Sequence, residues 1–271
     1  MARWFLVALA VALARVAVAD DAIRFLREGT EVKQATVGEI AAACTLATVD
    51  VDDPVAGGRR SYRACTAADV LRFAFGDAAL GTADVIVRTW DGYDQPTPAA
   101  TLTGEGAYLA VGDAGTEAFR FAPLGPKAVD PGPLRLVWTS PRPRDPNAHP
   151  WPTQITELEV EDFRRKYPHV LPTSAPRDSP AWHGLEIFRG ECITCHAINR
   201  EGGTTGPDLN VPQSIVEYRP AAQIKAYIKN PRTFRYGNMP AHPDLTDGDL
   251  DALVAYFRTM RGLKHDPSAA R

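Results

Sequence analysis

The spacing of apolar positions divides the chain into two textures, one with the two-residue period of strands and one with the 3.6-residue period of helices. Residues 23–26 are a short apolar run that predicts a strand. Thr36 with Glu39 makes the capping-box pattern of a brief helix reaching Ala43, and residues 44–51 alternate as a half-buried strand. Residues 53–58 predict a turn centred near Val55, from which residues 60–64 return. Thr66 with Asp69 starts a helix that turns Val70, Leu71, Phe73 and Phe75 inward. Further strands are predicted at residues 85–89, 107–111, 134–138 and 155–160. After residue 178 the period lengthens. Ser179 and Pro180 open a helix carrying Trp182, Leu185, Ile187 and Phe188, and Pro220 opens a second through Ile224, Tyr227 and Ile228 that Pro231 stops. Thr246 and Asp249 cap a third, whose Leu250, Leu253, Val254 and Phe257 form one stripe up to Gly262. The expected fold is α+β: a mostly-β mixed N-terminal domain followed by an all-α C-terminal domain.

Two segments stand outside this pattern. Residues 1–19 place Arg3 before an apolar run and end on Ala17-Val18-Ala19, the arrangement of a secretory signal peptide. The run is too short to span a bilayer, and Arg15 interrupts it, so no stable membrane span is expected after cleavage. The mature chain is expected to be periplasmic or otherwise exported, and soluble. Residues 141–180 hold nine prolines and, apart from 155–161, no apolar period. The expected organisation is a signal peptide at 1–19, an α+β domain at 20–163, a semi-rigid Pro-rich linker at 164–180, a helical domain at 181–263 and a tail at 264–271.

The whole chain of 271 residues has 30 Lys+Arg against 33 Asp+Glu, a formal net charge of -3. No basic run collects enough charge to neutralise phosphates, which argues against nucleic acid as a partner. The charge is uneven. Residues 20–176 hold 16 basic and 22 acidic residues, whereas 177–271 hold 12 and 11.

The candidate chemistry is in the helical part. Cys192-Ile193-Thr194-Cys195-His196 is the C-x-x-C-H pattern of c-type haem attachment, in which two thiols bond the haem vinyl groups and the next histidine binds the iron. Thiols three positions apart reach two vinyls on one porphyrin edge. A zinc site would need a second ligand pair, which the sequence lacks, and a redox dithiol would need an alternating α/β setting. No Gly-rich phosphate loop, Gly-x-Ser-x-Gly elbow or His-Glu-x-x-His helix occurs. The acidic runs Asp50, Asp52, Asp53 and Glu157, Glu159, Glu161 are expected on turns and solvent faces. His149, His169 and His183 are expected to be solvated.

With the haem pentapeptide, Gly206-Pro207-Asp208-Leu209, Tyr236-Gly237-Asn238-Met239-Pro240 and the C-terminal helix, the segment 181–262 resembles a class I cytochrome c. The resemblance implies one covalent haem c, His196 and Met239 as axial ligands, and Pro207 orienting the imidazole through its carbonyl. His242 and Met260 are the rivals for Met239.

In the N-terminal part, residues 62–71, Trp90-Asp91-Gly92-Tyr93, the strand Gly132-Pro133-Leu134-Arg135-Leu136-Val137 and residues 151–159 resemble a shortened sulfite-oxidase-like molybdopterin-binding domain. That resemblance implies a mixed fold with the Asp-Gly-Tyr turn near a pterin site. The metal cysteine of that family is replaced by Asp50-Val51-Asp52-Asp53-Pro54, so molybdopterin is not expected. Cys44 and Cys65 would fall nearly opposite each other on two strands paired around Val55 and are expected to form a cross-strand disulfide, with two separately buried thiols as the alternative. The function expected is single-electron transfer without a catalytic residue, with the N-terminal domain docking a redox partner, a dehydrogenase or terminal oxidase. The alternative is a single-chain molybdopterin dehydrogenase that passes substrate electrons to its own haem.

Overall fold

The structure is a computed structural model that describes residues 22–270 apart from 77–80, 82, 105, 117, 126–127 and 140–148. The expected signal segment lies outside the described residues. The N-terminal region comprises β1 (Ala22–Arg27), β2 (Thr30–Thr36), α1 (Val37–Ala42), β3 (Ala47–Asp53), β4 (Gly58–Thr66), α2 (Ala67–Phe75), β5 (Asp84–Thr89), β6 (Asp94–Pro98), α3 (Ala99–Leu102), β7 (Ala107–Asp113), β8 (Arg135–Trp138) and β9 (Ile155–Glu161). They form a five-stranded sheet in the order β2-β1-β9-β5-β6 and a four-stranded sheet in the order β3-β4-β7-β8. All pairs are antiparallel except β1 with β9.

One apolar core joins the two sheets and the two longer helices, through residues such as Phe25, Ile40, Leu71, Val87, Leu109, Leu136 and Leu158. The caps read from sequence are present: the Thr36 hydroxyl and the Glu39 carboxylate close a capping box on α1, and the Thr66 hydroxyl accepts from the Asp69 amide. Two strands escape the apolar pattern. β2 shows a mostly exposed polar face, and β6 reads Asp-Gln-Pro-Thr-Pro, whose prolines suit only a sheet edge.

Cys44 and Cys65 are joined by a disulfide with Cα atoms 5.8 Å apart. The bridge is not cross-strand, because β3 begins at Ala47, paired with Ala64. It ties the end of α1 to β4 instead. In the chain-entropy account, closing this 21-residue separation stabilises the fold by about 3 kcal/mol. Cys44→Ala with Cys65→Ala is therefore expected to lower the denaturation free energy by about that amount, measured by urea unfolding, with m rising because the unlinked denatured chain exposes more surface.

Of the acidic runs, Asp50 and Asp52 are exposed as expected, but Asp53, Glu157, Glu159 and Glu161 are buried. Asp53 and Arg135 are fully buried as an ion pair at 2.6 Å, and the Tyr62 hydroxyl accepts from Arg135 and donates to Asp53 at 2.8 and 2.7 Å. Glu157, Glu159 and Glu161 line one buried face of β9. Arg88 pairs there with Glu157, Glu159 and Asp94. The sequence pattern misleads here because alternate residues on β9 face a second layer of protein.

That layer is the C-terminal region. It contains α4 (Phe163–Lys166), α5 (Pro180–Glu191), β10 (Ala197–Ile198), β11 (Glu201–Gly202), α6 (Ile215–Tyr218), α7 (Ala221–Lys229) and α8 (Asp247–Arg261). It is helical but not all-α, since β10 and β11 pair as a two-residue ladder. Helices α5 and α8 cross where Gly184 leaves no room for a Cβ, which would stand 2.2 Å from the Ala252 carbonyl oxygen. The stretch expected to be a semi-rigid linker is packed down. Phe163, Tyr167 and Val170 are buried with Trp182, Leu185 and Phe188, and Ile86 of β5 joins the same cluster. The Tyr256 hydroxyl donates to the Val170 carbonyl at 2.8 Å. No described helix is long and apolar enough to cross a membrane.

Candidate haem site

The backbone of α5 continues into the cysteine pentapeptide. The amides of Cys192 and Ile193 donate to the Phe188 carbonyl at 2.9 and 2.8 Å, and those of Cys195 and His196 donate to the Cys192 carbonyl at 3.1 and 2.9 Å. A single turn therefore carries both thiols and the imidazole. Cys192 and Cys195 are not bonded to each other. Burial pushes both thiols above their ordinary range.

His196 Nδ1 lies 2.8 Å from the Pro207 carbonyl oxygen. That oxygen can only accept, so Nδ1 carries the proton and Nε2 presents its lone pair. Burial is the main cause holding the His196 pKa below its ordinary value, against the Pro207 carbonyl, and this keeps the ring in the neutral, ligating form. Gly206 lets the 203–209 segment pass against the ring: a Cβ there would stand 2.5 Å from His196 Cε1. After Pro207, Asp208 accepts from the amides of Arg200, Asn210 and Val211 at 2.7, 2.8 and 2.8 Å, which fixes the loop that carries the proline.

The rivals for the second axial position occupy different settings. Met260 is fully buried in the α5–α8 core, its carbonyl held by Asn210 at 2.8 Å. His242 Nδ1 lies 2.9 Å from Glu191 Oε2. Met239 is half-buried against the helical core and lines a cleft of about 540 Å³ with Arg232, Gly237, Asn238, Pro240 and Ala241.

Comparison with known proteins decides the kind of domain. The family model described as cytochrome c oxidase, cbb3-type, subunit III matches residues 180–257. Residues 180–257 form a cytochrome c domain. Among similar proteins, cytochrome c oxidase subunit 2 of Alkalihalophilus pseudofirmus is 32% identical over 93 residues, covering 32% of this chain and 27% of that protein. Lupanine 17-hydroxylase (cytochrome c) of Pseudomonas sp is 35% identical over 108 residues, 39% of this chain and 14% of that protein. The cbb3-type cytochrome c oxidase subunit FixP of Azorhizobium caulinodans is 36% identical over 99 residues, 35% and 33% respectively. The chain thus spans about a third or less of the length of these relatives.

A cytochrome c domain implies haem c, and the residues present fit it. The domain offers two unbonded thiols, a neutral imidazole with Nε2 free, and glycine where the loop meets the ring. Among the described residues no group of three or more His, Cys, Asp or Glu could hold a bare metal ion.

Sequence reasoning did not find what covers this site. The β5–β6 turn, Trp90-Asp91-Gly92-Tyr93, lies on the haem-attachment segment: the Asp94 amide donates to the Thr194 carbonyl at 3.1 Å and the Thr204 amide to the Gly92 carbonyl at 2.9 Å. Arg189 of α5 bridges both Asp84 oxygens at 2.7 Å. The only sequence signal was the Asp-Gly-Tyr turn itself, read as near a pterin. His169 and His183, expected to be solvated, are exposed and bond Glu201 and Asp249 at 2.6 and 3.0 Å.

Proposed function

We propose that this chain is an exported electron carrier that passes single electrons through one haem bonded to Cys192 and Cys195. The observation that carries the reading is the His196–Pro207 contact of 2.8 Å, which presents Nε2 on the same turn as two free thiols. The haem, when bound, supplies a one-electron couple. His196, oriented by Pro207, and Met239 would hold the iron. Asp208 and the 203–209 segment keep the imidazole from turning. The carrier needs no catalytic base or nucleophile, since no bond in a substrate is made or broken.

The N-terminal region is the partner-docking module in this reading. Trp90, 80% exposed, stands on the turn that touches the attachment segment, and an exposed tryptophan is the residue type that most often anchors an interface. The acidic excess of residues 20–176 favours a basic partner. Two relatives named as cytochrome c oxidase subunits favour a terminal oxidase. The relative named as a hydroxylase favours the alternative of a single-chain dehydrogenase. Against a pterin in this chain, Arg88 and Arg135 are already neutralised by ion pairs. Elemental analysis separates the two readings: the carrier contains iron and no molybdenum, and sulfite alone does not reduce its haem.

Met239→Ala tests the distal assignment. The ferric protein should lose its weak long-wavelength sulfur-to-iron absorption, and its potential should fall, because water or a harder ligand stabilises ferrous iron less than a thioether does. An unchanged spectrum and potential would pass the role to His242.

A further inference from the structure

We propose that Gly92, on the β5–β6 turn of the N-terminal region, is a positioning residue of the haem site: its carbonyl holds the loop at 202–207, and through that loop it sets the bond from His196 to Pro207. The inference rests on the carrier reading, in which His196 binds the haem iron.

The loop that presents Pro207 cannot hold its own shape. It reads Gly202-Gly203-Thr204-Thr205-Gly206, three glycines in five residues, and glycine leaves the backbone its widest choice of conformations. None of the three admits a stiffer residue. A Cβ would stand 2.5 Å from the His196 carbonyl oxygen at Gly202, 2.0 Å from that of Thr194 at Gly203, and 2.5 Å from His196 Cε1 at Gly206. On its inner side the loop lies along the haem-attachment turn, with the Gly203 amide donating to the Ile193 carbonyl at 2.8 Å and the Gly206 amide to the Cys195 carbonyl at 2.6 Å. Between those bonds Thr204 and Thr205 are exposed and are held by another element. The Thr204 amide donates to the Gly92 carbonyl at 2.9 Å, and the Thr205 hydroxyl to the Asp91 carbonyl at 3.4 Å.

The turn is itself braced. The Trp90 amide donates to the Gln154 carbonyl at 2.9 Å, the Gly92 amide to the Thr89 carbonyl at 3.2 Å and the Tyr93 amide to Thr89 Oγ1 at 3.1 Å. Just beyond it, the Asp94 amide donates to the Thr194 carbonyl at 3.1 Å, and Gln95 accepts from the Thr194 hydroxyl. This corner of the N-terminal sheet therefore bonds both the attachment turn and the proline loop, and fixes one against the other. The approach is closest at Gly92, where a Cβ at its φ of +93° would stand 2.5 Å from Thr204 Oγ1. The consequence for the iron passes through the imidazole. An Nδ1–H that donates to a well-placed carbonyl makes the ring a stronger electron donor at Nε2 and favours ferric iron, so a slack loop shifts the balance towards ferrous iron.

Gly92→Ala in the full-length, haem-loaded protein drives the turn off Thr204 and leaves the pentapeptide, Pro207 and Met239 in place. Covalent haem, measured after denaturation and acid extraction, should be unchanged. The His196 Nδ1 proton, followed by NMR in deuterated solvent, should exchange up to about tenfold faster, as for the loss of one hydrogen bond. The midpoint potential in a spectroelectrochemical titration should rise, by roughly a three- to tenfold change in the reduction equilibrium, at most about 59 mV for a one-electron couple. An unchanged exchange rate, or a potential that stays or falls, would overturn the proposal; a fall would mean that the turn only keeps water from the haem. Should the variant not accumulate, the wild-type protein still tests the contact. The Thr204 amide, although on an exposed residue, should be protected from hydrogen exchange, and exchange at the rate of a free amide would overturn the proposal equally. A wild-type chain without covalent haem would instead refute the underlying carrier reading, so the two failures are distinguishable.

Discussion

Cys192→Ala combined with Cys195→Ala is expected to abolish all haem that survives denaturation and acid extraction. Both thiols lie on one turn held by the Phe188 and Cys192 carbonyls, and the other two cysteines are consumed by the Cys44–Cys65 bridge. No thiol therefore remains to form a thioether elsewhere. His196 keeps its Pro207 partner in the double variant, so weak, extractable haem binding is compatible with the prediction and covalent haem is not. Each single variant retains one thiol and should keep a single thioether, visible as a shifted pyridine haemochrome band. Covalent haem in the double variant would remove the foundation of the electron-carrier reading.

The parts of the fold that were legible in sequence are those whose signal is local. Thr36, Thr66 and Thr246 each mark a helix start because a side-chain oxygen must satisfy amides that the helix leaves open, and all three caps accept from the residue three positions on. The pentapeptide was legible for the same reason, since its chemistry lies within five consecutive residues. What was not legible depends on residues far apart in sequence. Glu159 looks like a solvent-facing strand residue until Arg88 and Lys166 are brought to it at 2.8 and 2.6 Å. Arg135 and Asp53 are separated by most of the N-terminal region, and nothing local marks them as a buried pair. β6 was hidden by its two prolines, although it forms the edge that meets the haem-attachment segment. The turn at residues 90–93 is the clearest case. Its residues predict only a turn, and the tertiary fold alone sets that turn against Thr194 and Thr204.

The same long-range contacts change what the proline-rich stretch should do when cut. A texture shift alone places the start of the cytochrome c part at residue 181, after a linker at 164–180, and a chain of residues 177–271 would then fold by itself. Packing argues for an earlier start. Phe163, Tyr167 and Val170 are each less than a tenth exposed and lie against Trp182, Leu185 and Phe188. Losing three buried side chains at roughly 1.5 to 3 kcal/mol each removes about 5 kcal/mol or more. The Tyr256–Val170 hydrogen bond goes with them, leaving a buried hydroxyl without its acceptor. That sum is comparable to the whole stability of a small domain, about 5 to 15 kcal/mol. A chain of residues 163–271 keeps all of these contacts. It gives up Ile86, the Asp84 partner of Arg189, the Asp94 acceptor of Tyr167 and the β5–β6 bonds to Thr194 and Thr204, and of these only the Asp94 acceptor is specific to the longer chain. We therefore expect haem-loaded 163–271 to unfold cooperatively, and 177–271 to melt many degrees lower or fail to hold a folded haem site. Thermal unfolding followed at the haem Soret band makes the comparison. Equal melting temperatures for the two chains would place the boundary at the end of the prolines and reduce residues 163–176 to a spacer.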